Sequence, residues 1–352
     1  MKDILFLAPY PTVENIKDGM VNRIKSIDSM FASFPRKYLD IAIKFKKKKI
    51  IKHDNVEVYE LSLLLHLGLI IKLLFAADYI YSHSIWGGRY LFFLFPFCSG
   101  RFILDIHGVV PEENKLTYNS PIRYWILNVL EYFYFKKIEV AMCVTNTMRC
   151  HYEKKYTHYK GLFLIYNILP SYLTEIVLHR KGNIFNDDNK VNVLYSGGIS
   201  KWQNIDLMLD VIAKNISDHI RYTLLVNNIP FVKAKLEERG IENLVELKSV
   251  QPDELESYYM NADYAFILRD DNVVNNVANP TKLVEYLAFG IIPIVLSPKI
   301  GDYLSLNYEY LNVDSFCTNI SKPKTKSNTN ISIARNVCEY NKSFKLIDVI
   351  LK

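Results

Sequence analysis

The chain of 352 residues contains no apolar run of the roughly 18 to 20 residues that a bilayer-spanning helix needs, so no transmembrane segment is expected. The short apolar run in MKDILFLAPYP lacks a small-residue cleavage site and reads as a first strand, not a signal peptide. Cysteine is scarce: Cys98, Cys143, Cys150, Cys317 and Cys338 are an odd set without metal-ligand spacing. They suit a reducing cytoplasm and exclude a disulfide scaffold. The sequons at Asn215, Asn319, Asn330 and Asn341 then need no glycan. Walker A, GxGxxG, HExxH, CxxC and GxSxG patterns are all missing, and so are internal repeats.

Half of the residues are hydrophobic and 23% are charged, the composition of a folded protein long enough for two domains. The net charge of +6 is uneven: residues 1–170 hold 23 Lys and Arg against 15 Asp and Glu, and residues 171–352 hold 20 against 22. A basic first half beside a near-neutral second half points to an anionic partner for the first. The densest charge, Lys44 to Lys52 with Arg36, is either a solvated turn between strands or an attraction for anionic lipid headgroups. It has no aromatic interleaving, so nucleic acid is not expected as a partner.

Apolar runs of strand length alternate with helix-length segments, which predicts doubly wound α/β sheets. Strands are expected at Ile4–Ala8, Lys37–Phe45, Val56–Leu61, Tyr79–His83, Arg101–Ile106 and Glu139–Thr145. Leu61–Phe75 and Arg89–Cys98 read as apolar helices, the first either a buried crossover or a monotopic membrane contact. Gly19 opens a helix with Met20, Ile24, Ile27 and Phe31 on one face, and a glycine there admits a ligand close to the backbone. His107 follows its strand directly and is trailed by Gly108, the place where open α/β sheets bind ligands. A core or capping histidine is the alternative. The polar stretch 171–189 is the expected linker, and 190–330 forms the second domain. Thr318–Ser332 reads as a mobile surface loop, and residues 331–352 as a closing helix.

The most informative stretch is YAFILRDDNVVNNVANPTKLVEYLAFGIIPIVL, Tyr264 to Leu296. It predicts a strand, a polar loop over Arg269–Asn279, a helix with Asn279 as N-cap and Gly290 as its stop, and a second strand. The helix N-terminus then lies at the carboxyl edge of a parallel sheet, where free N–H groups favour a phosphate. Lys282 adds charge in the first turn beside Thr281. Glu285, one turn deeper on the same face, suits a vicinal diol such as ribose. An ordinary surface ion pair between Lys282 and Glu285 is the alternative.

The Pro-x-Lys-x-x-Glu-Tyr-Leu-Ala-x-Gly pattern from Pro280 to Gly290, with the Ile/Pro/Val strand after it, resembles the nucleotide-sugar site of family 4 retaining glycosyltransferases. That resemblance implies the GT-B fold, two Rossmann-like domains facing across a cleft, with the acceptor side in residues 1–170. It implies a ribose contact for Glu285, leaving-group stabilisation by Lys282 and Arg269, and a nucleobase contact near Gln251. A pyrophosphate-facing turn is implied at Gly198, Ser200 and Lys201. His107 matches a histidine that contacts the donor sugar, and the Gly19 loop faces the acceptor. The glutamate usual eight positions before Glu285 is Val277 here, leaving Asn275, Asn276 or Asn279 for sugar contacts. The family usually has an arginine at Gly198 and a lysine near Gln203. The implied activity is metal-independent, retaining transfer from a nucleotide-diphosphate sugar to a saccharide or lipid-linked acceptor, with no cofactor beyond that co-substrate. The implied setting is bacterial polysaccharide assembly in the cytoplasm at the inner membrane face. A GT-B epimerase and a non-catalytic GT-B partner protein are the alternatives.

Overall fold

The computed structural model describes residues 2–12, 19–45, 48–167, 173, 175–177, 189–251, 254–343 and 346–351. The chain divides into two compact units, Met1–Ile168 with Phe344–Lys352, and Leu169–Ser343. Most of the expected linker, and the residues 13–18 that precede Gly19, lie outside the described residues.

The first unit is built on β1 (Ile4–Leu7), β2 (Arg36–Ala42), β3 (Lys49–His53), β4 (Val56–Ser62), β5 (Tyr79–His83), β6 (Arg101–Ile106), β7 (Val140–Cys143) and β8 (Leu162–Ile165). They form one sheet in the order β3-β4-β2-β1-β5-β6-β7-β8. Only β3 runs antiparallel, as an edge. The central strands β1, β5 and β6 are buried along nearly their whole length, as expected where helices cover both faces of a parallel sheet. Phe6 on β1 stacks on Tyr38 at 4.9 Å and meets Phe31 of helix-following residues edge-on at 5.6 Å. The lysine-rich segment supplies β3, where Lys49 and Lys52 pair with Glu60 and Glu57 of β4.

In the second unit, β9 (Val191–Gly197), β10 (Ile220–Val226), β11 (Val245–Lys248), β12 (Tyr264–Ile267), β13 (Ile292–Val295) and β14 (Leu311–Asn312) form an all-parallel sheet. Its order is β11-β10-β9-β12-β13-β14. Counted within the unit this is 3-2-1-4-5-6, the doubly wound order whose switch point lies between β9 and β12. The short helix Leu346–Ile350 belongs to the first unit, where Leu346 and Ile350 are buried with Ile4 and Phe6. Tyr79 donates to the Leu351 carbonyl at 3.0 Å, and Arg101 to that of Ile350 at 3.2 Å.

Three sequence expectations need correcting. The helix expected over Leu61–Phe75 starts only at Leu67, because Leu61 and Ser62 complete β4 and the His66 ring accepts from the Ser62 N–H at 3.1 Å. The segment Arg89–Cys98 makes turns and a 3-10 stretch, Phe95–Phe97. Pro96 withdraws a helix donor there, and Leu91 and Phe95 are drawn separately into the core. Finally, Thr318–Ser332 is not a free surface loop: the helix Asn328–Ser343 begins inside it, and Asn330 is fully buried. Its side chain accepts from the Glu309 N–H and donates to the Ile291 and Glu309 carbonyls, at 2.8, 3.1 and 3.0 Å. Polar composition suggested solvent, but these contacts satisfy backbone groups that a loop would otherwise bury unpaired.

Candidate functional site

At the switch point of the second unit lies a cleft of about 210 Å³, lined by Tyr195, Ser196, Arg269, Pro280, Lys282 and Tyr286 among others. The helix α-Thr281–Ala288 starts at its rim. Pro280, not Asn279, occupies the N-cap position, with extended backbone at φ −67° and ψ 122°. Asn279 is instead engaged by the Tyr303 hydroxyl, which donates to its Oδ1 at 2.5 Å. No side chain caps this helix, so its first N–H groups are left to solvent or a ligand. Gly290 closes it with φ +65°, a left-handed residue where a side chain would also press on Lys326.

Glu285 and Lys282 pair at 2.9 Å, but this is no surface ion pair: the Glu285 side chain is 4% exposed and that of Lys282 34%. Tyr259 lies under both. Its hydroxyl donates to Glu285 Oε2 at 2.5 Å and accepts from Lys282 Nζ at 3.2 Å. It also reaches Ser196 Oγ at 3.2 Å, and the Tyr286 hydroxyl accepts from the Ser196 N–H at 3.0 Å. The end of β9 is thereby tied to the helix, and the lysine is held in the first turn of the helix. Burial, reinforced by the Glu285 charge, pushes the Tyr259 hydroxyl far up, so it stays a proton donor.

Arg269 follows β12 into the same cleft. Its guanidinium makes one hydrogen bond among the described residues, to Asn275 Oδ1 at 3.4 Å, and its buried Nε has none. Among the described residues no carboxylate is paired with it. Burial lowers its pKa, the mark of a charge short of an anion. The stretch expected as a loop over Arg269–Asn279 contains a short helix, Val273–Val277, capped by Asn272 accepting from the Asn275 N–H. Local Asx capping forms it, which a count of polar residues does not register. That helix buries Val277 and Asn275, and Asn275 donates to the Asp270 carbonyl at 3.0 Å. Asn276 donates to Asp271 at 2.8 Å.

The remaining expected residues are distributed along the same carboxyl edge. Gly198 follows β9 with open space where a Cβ would sit, and its carbonyl accepts from the Tyr195 hydroxyl. Ser200 precedes a 3-10 turn, Lys201–Gln203, in which Lys201 is exposed and Gln203 lines the cleft. Thr281 is exposed at the helix tip and lines the cleft. Gln251, past β11, donates its backbone N–H to Glu254 at 2.7 Å. The following two residues lie outside the described residues.

The first unit has its own polar cluster, of which the sequence reading found only His107. Asp105, one residue short of the end of β6, is fully buried, and Arg23 donates to both its oxygens at 2.6 to 3.1 Å. Arg23 lies one turn into the helix Gly19–Met30, so Gly19 serves to start the helix that delivers it. His83 at the end of β5 puts Nδ1 3.2 Å from Asp105 Oδ2, and its ring meets that of His107 edge-on at 5.7 Å. Burial alone would raise the Asp105 pKa, but Arg23, with His83, holds it well below the usual carboxylate range. Burial pushes His83 down to about 3, so its ring is neutral. Donor atoms of His83, Asp105 and His107 lie within 4.8 Å of one another, the spacing of a metal set. Arg23 already supplies the positive charge that Asp105 requires. An aspartate and a histidine ending two apolar strands were the available signal; their meeting depends on strand register, His83 opposite Asp105.

No protein-family model matches the chain, and no curated protein sequence is recognisably similar. Solved structures share its fold. Anabaena HepE, solved in complex with UDP and glucose, is 11% identical, with TM-score 0.64 and all of both chains covered. An alpha,alpha-trehalose-phosphate synthase (UDP-forming) from Burkholderia vietnamiensis is 9% identical, with TM-score 0.62, covering 100% of this chain and 99% of that one. Sucrose-phosphate synthase from Thermosynechococcus elongatus is 11% identical, with TM-score 0.59, covering 99% and 96%. These neighbours are GT-B glycosyltransferases, and this chain has their α/β fold.

Proposed function

We propose that this protein is a glycosyltransferase that takes its sugar from a nucleotide-diphosphate sugar. The observation that supports it most is the cleft at the switch point. There Arg269, a partly buried guanidinium with no carboxylate partner among the described residues, and Lys282 in the first turn of a helix without a side-chain cap line the cleft, and the Glu285 carboxylate paired with Lys282 is buried one turn deeper. Two cations and a helix N-terminus suit a pyrophosphate, and a buried acceptor one turn deeper suits the ribose. The structural neighbours include HepE bound to UDP-glucose, which favours a uridine donor.

In the reaction, the bond between the sugar C1 and the diphosphate oxygen breaks and negative charge gathers on that oxygen. Arg269, Lys282 and the first N–H groups of the helix stabilise it. The acceptor hydroxyl forms the new bond to C1 on the same face, its proton passing to the departing phosphate, so the anomeric configuration is retained. No metal is required, because the chain itself supplies the positive charge. His107 is assigned to the donor sugar by resemblance, as a hydrogen-bond donor and not a general base. The acceptor is a saccharide or lipid-linked saccharide of bacterial polysaccharide assembly at the inner membrane face.

A non-catalytic GT-B partner is the second reading, and one observation favours it: Val277 is buried and offers no polar atom where the resembled family has a glutamate. Thermal stability with UDP, GDP, ADP, dTDP and CMP separates the two. A ligand at a hundredfold excess over its dissociation constant adds roughly 2.7 kcal/mol. A clear rise with one diphosphate, lost in Glu285→Ala, is expected; no rise with any of them overturns the donor site.

A further inference from the structure

In the first unit the helix Pro121–Lys137 is apolar on two opposite faces. Leu127, Leu130 and Tyr134 are buried, while Ile122 is 71% exposed, Trp125 66% and Ile126 52%. Ile122, Trp125, Ile126 and Phe133 recur at helical spacing, so they form one stripe along the exposed side. The preceding helix, Val110–Tyr118, extends it with exposed Leu116 and Tyr118 across a turn at Asn119. A contiguous exposed apolar stripe on a protein surface marks a partner.

The charge around it identifies the partner. All three acidic residues of these two helices are turned inward. Glu112 and Glu131 are held by Lys155 at 2.8 and 2.6 Å, and burial raises the pKa of Glu113. The exposed charges on these two helices are Lys115, Arg123 and Lys136, and the Arg123 guanidinium lies 4.0 Å from the Tyr118 ring; Glu139, just past the second helix, pairs with Arg101 at 3.2 Å. A two-fold contact with a second copy through this face would bring two sets of cations together with no outward acidic side chain of these helices to offset them. The lysines of β3, by contrast, are paired with Glu57 and Glu60.

We propose that the Val110–Lys137 helical hairpin docks on an anionic phospholipid bilayer. Ile122, Trp125 and Ile126 enter the headgroup–acyl boundary, and Lys115, Arg123 and Lys136 meet lipid phosphates. No segment crosses the membrane in this arrangement, and it does not depend on the donor-site reading. The full chain is sedimented with vesicles of phosphatidylcholine alone or mixed with phosphatidylglycerol. Salt-sensitive binding to the mixed vesicles is expected, weakened about tenfold or more in Ile122→Ser/Trp125→Ser/Ile126→Ser and about tenfold in Lys115→Glu/Arg123→Glu. Both variants alter exposed positions, so their melting temperatures stay near that of the parent. Vesicle binding unchanged in the triple variant, or no binding to mixed vesicles, overturns the proposal. So does a dimer in sedimentation velocity that the triple variant abolishes, which would make the stripe a protein interface.

Discussion

Each unit places an arginine near the carboxyl edge of its sheet, Arg23 buried and Arg269 partly buried, and the two are treated in opposite ways. Arg23 is matched: it donates to both Asp105 oxygens, and a neutral His83 lies beside the pair. Arg269 has a single long hydrogen bond, to a neutral amide, and a lowered pKa from burial. A charge matched by a carboxylate holds a structure together; the role proposed for the one beside the cleft is to meet an anion. Arg23 and Asp105 form a closed ion pair, whereas Arg269 has no carboxylate partner among the described residues.

The strongest way to break this comparison is Arg23→Met. It leaves the Asp105 carboxylate buried without its cation, a loss of about 3 to 5 kcal/mol measurable by urea unfolding. A loss below about 1 kcal/mol, the scale of an exposed ion pair, would mean that the pair is not the closed unit described. Glu285→Ala comes next. It removes a charged partner from Tyr259 and Lys282, costing about 1.5 to 3 kcal/mol of stability, and should abolish the thermal response to the diphosphate. Retained nucleotide binding would sink the ribose assignment.

Arg269→Met sharpens the contrast, because its two effects have opposite signs. Diphosphate affinity should fall about tenfold or more, while stability stays level or rises, since a partly buried charge without a carboxylate partner among the described residues is gone. A stability loss like that of Arg23→Met would show the two arginines to be equivalent. Titration gives a finer test. An unfolded imidazole takes its proton near 6.5, whereas folded His83 does so only at about 3. Between those values the unfolded chain binds the extra proton, so stability falls as pH drops, by about 1.4 kcal/mol per unit. His83→Asn should flatten that slope in denaturation curves taken from pH 7 to 4. Smallest of all is Gly198→Ala: with open space at the Cβ position, a melting temperature within about a degree of the parent is expected.

The second-unit site was more legible in the sequence than the first because its parts are close in the chain. Lys282 and Glu285 share a face at a spacing of three, and Pro280 and Gly290 bracket their helix. Arg269 stands at the end of a recognisable strand. Tyr259, Tyr286 and Ser196 could not be found that way. Tyrosine in an apolar helix reads as core, and only the packed helix shows its hydroxyl reaching a carboxylate. The same limit hid Arg23, His83 and Asp105, each on a different element and joined by the pairing of β5 with β6.

Local pattern determined the alternation of strand and helix, the tip of the helix that begins at Thr281, and the Lys282–Glu285 spacing, because these follow from chain geometry over a few residues. Strand order, and with it the switch point, was decided by tertiary structure. So were the pairing of Arg23 and the lack of pairing of Arg269, since whether a buried charge is matched depends on elements far apart in the chain. The exposed stripe on the Pro121–Lys137 helix belongs to the same class. Its sequence is apolar on both sides, and only packing shows which side the core takes and which it leaves outside.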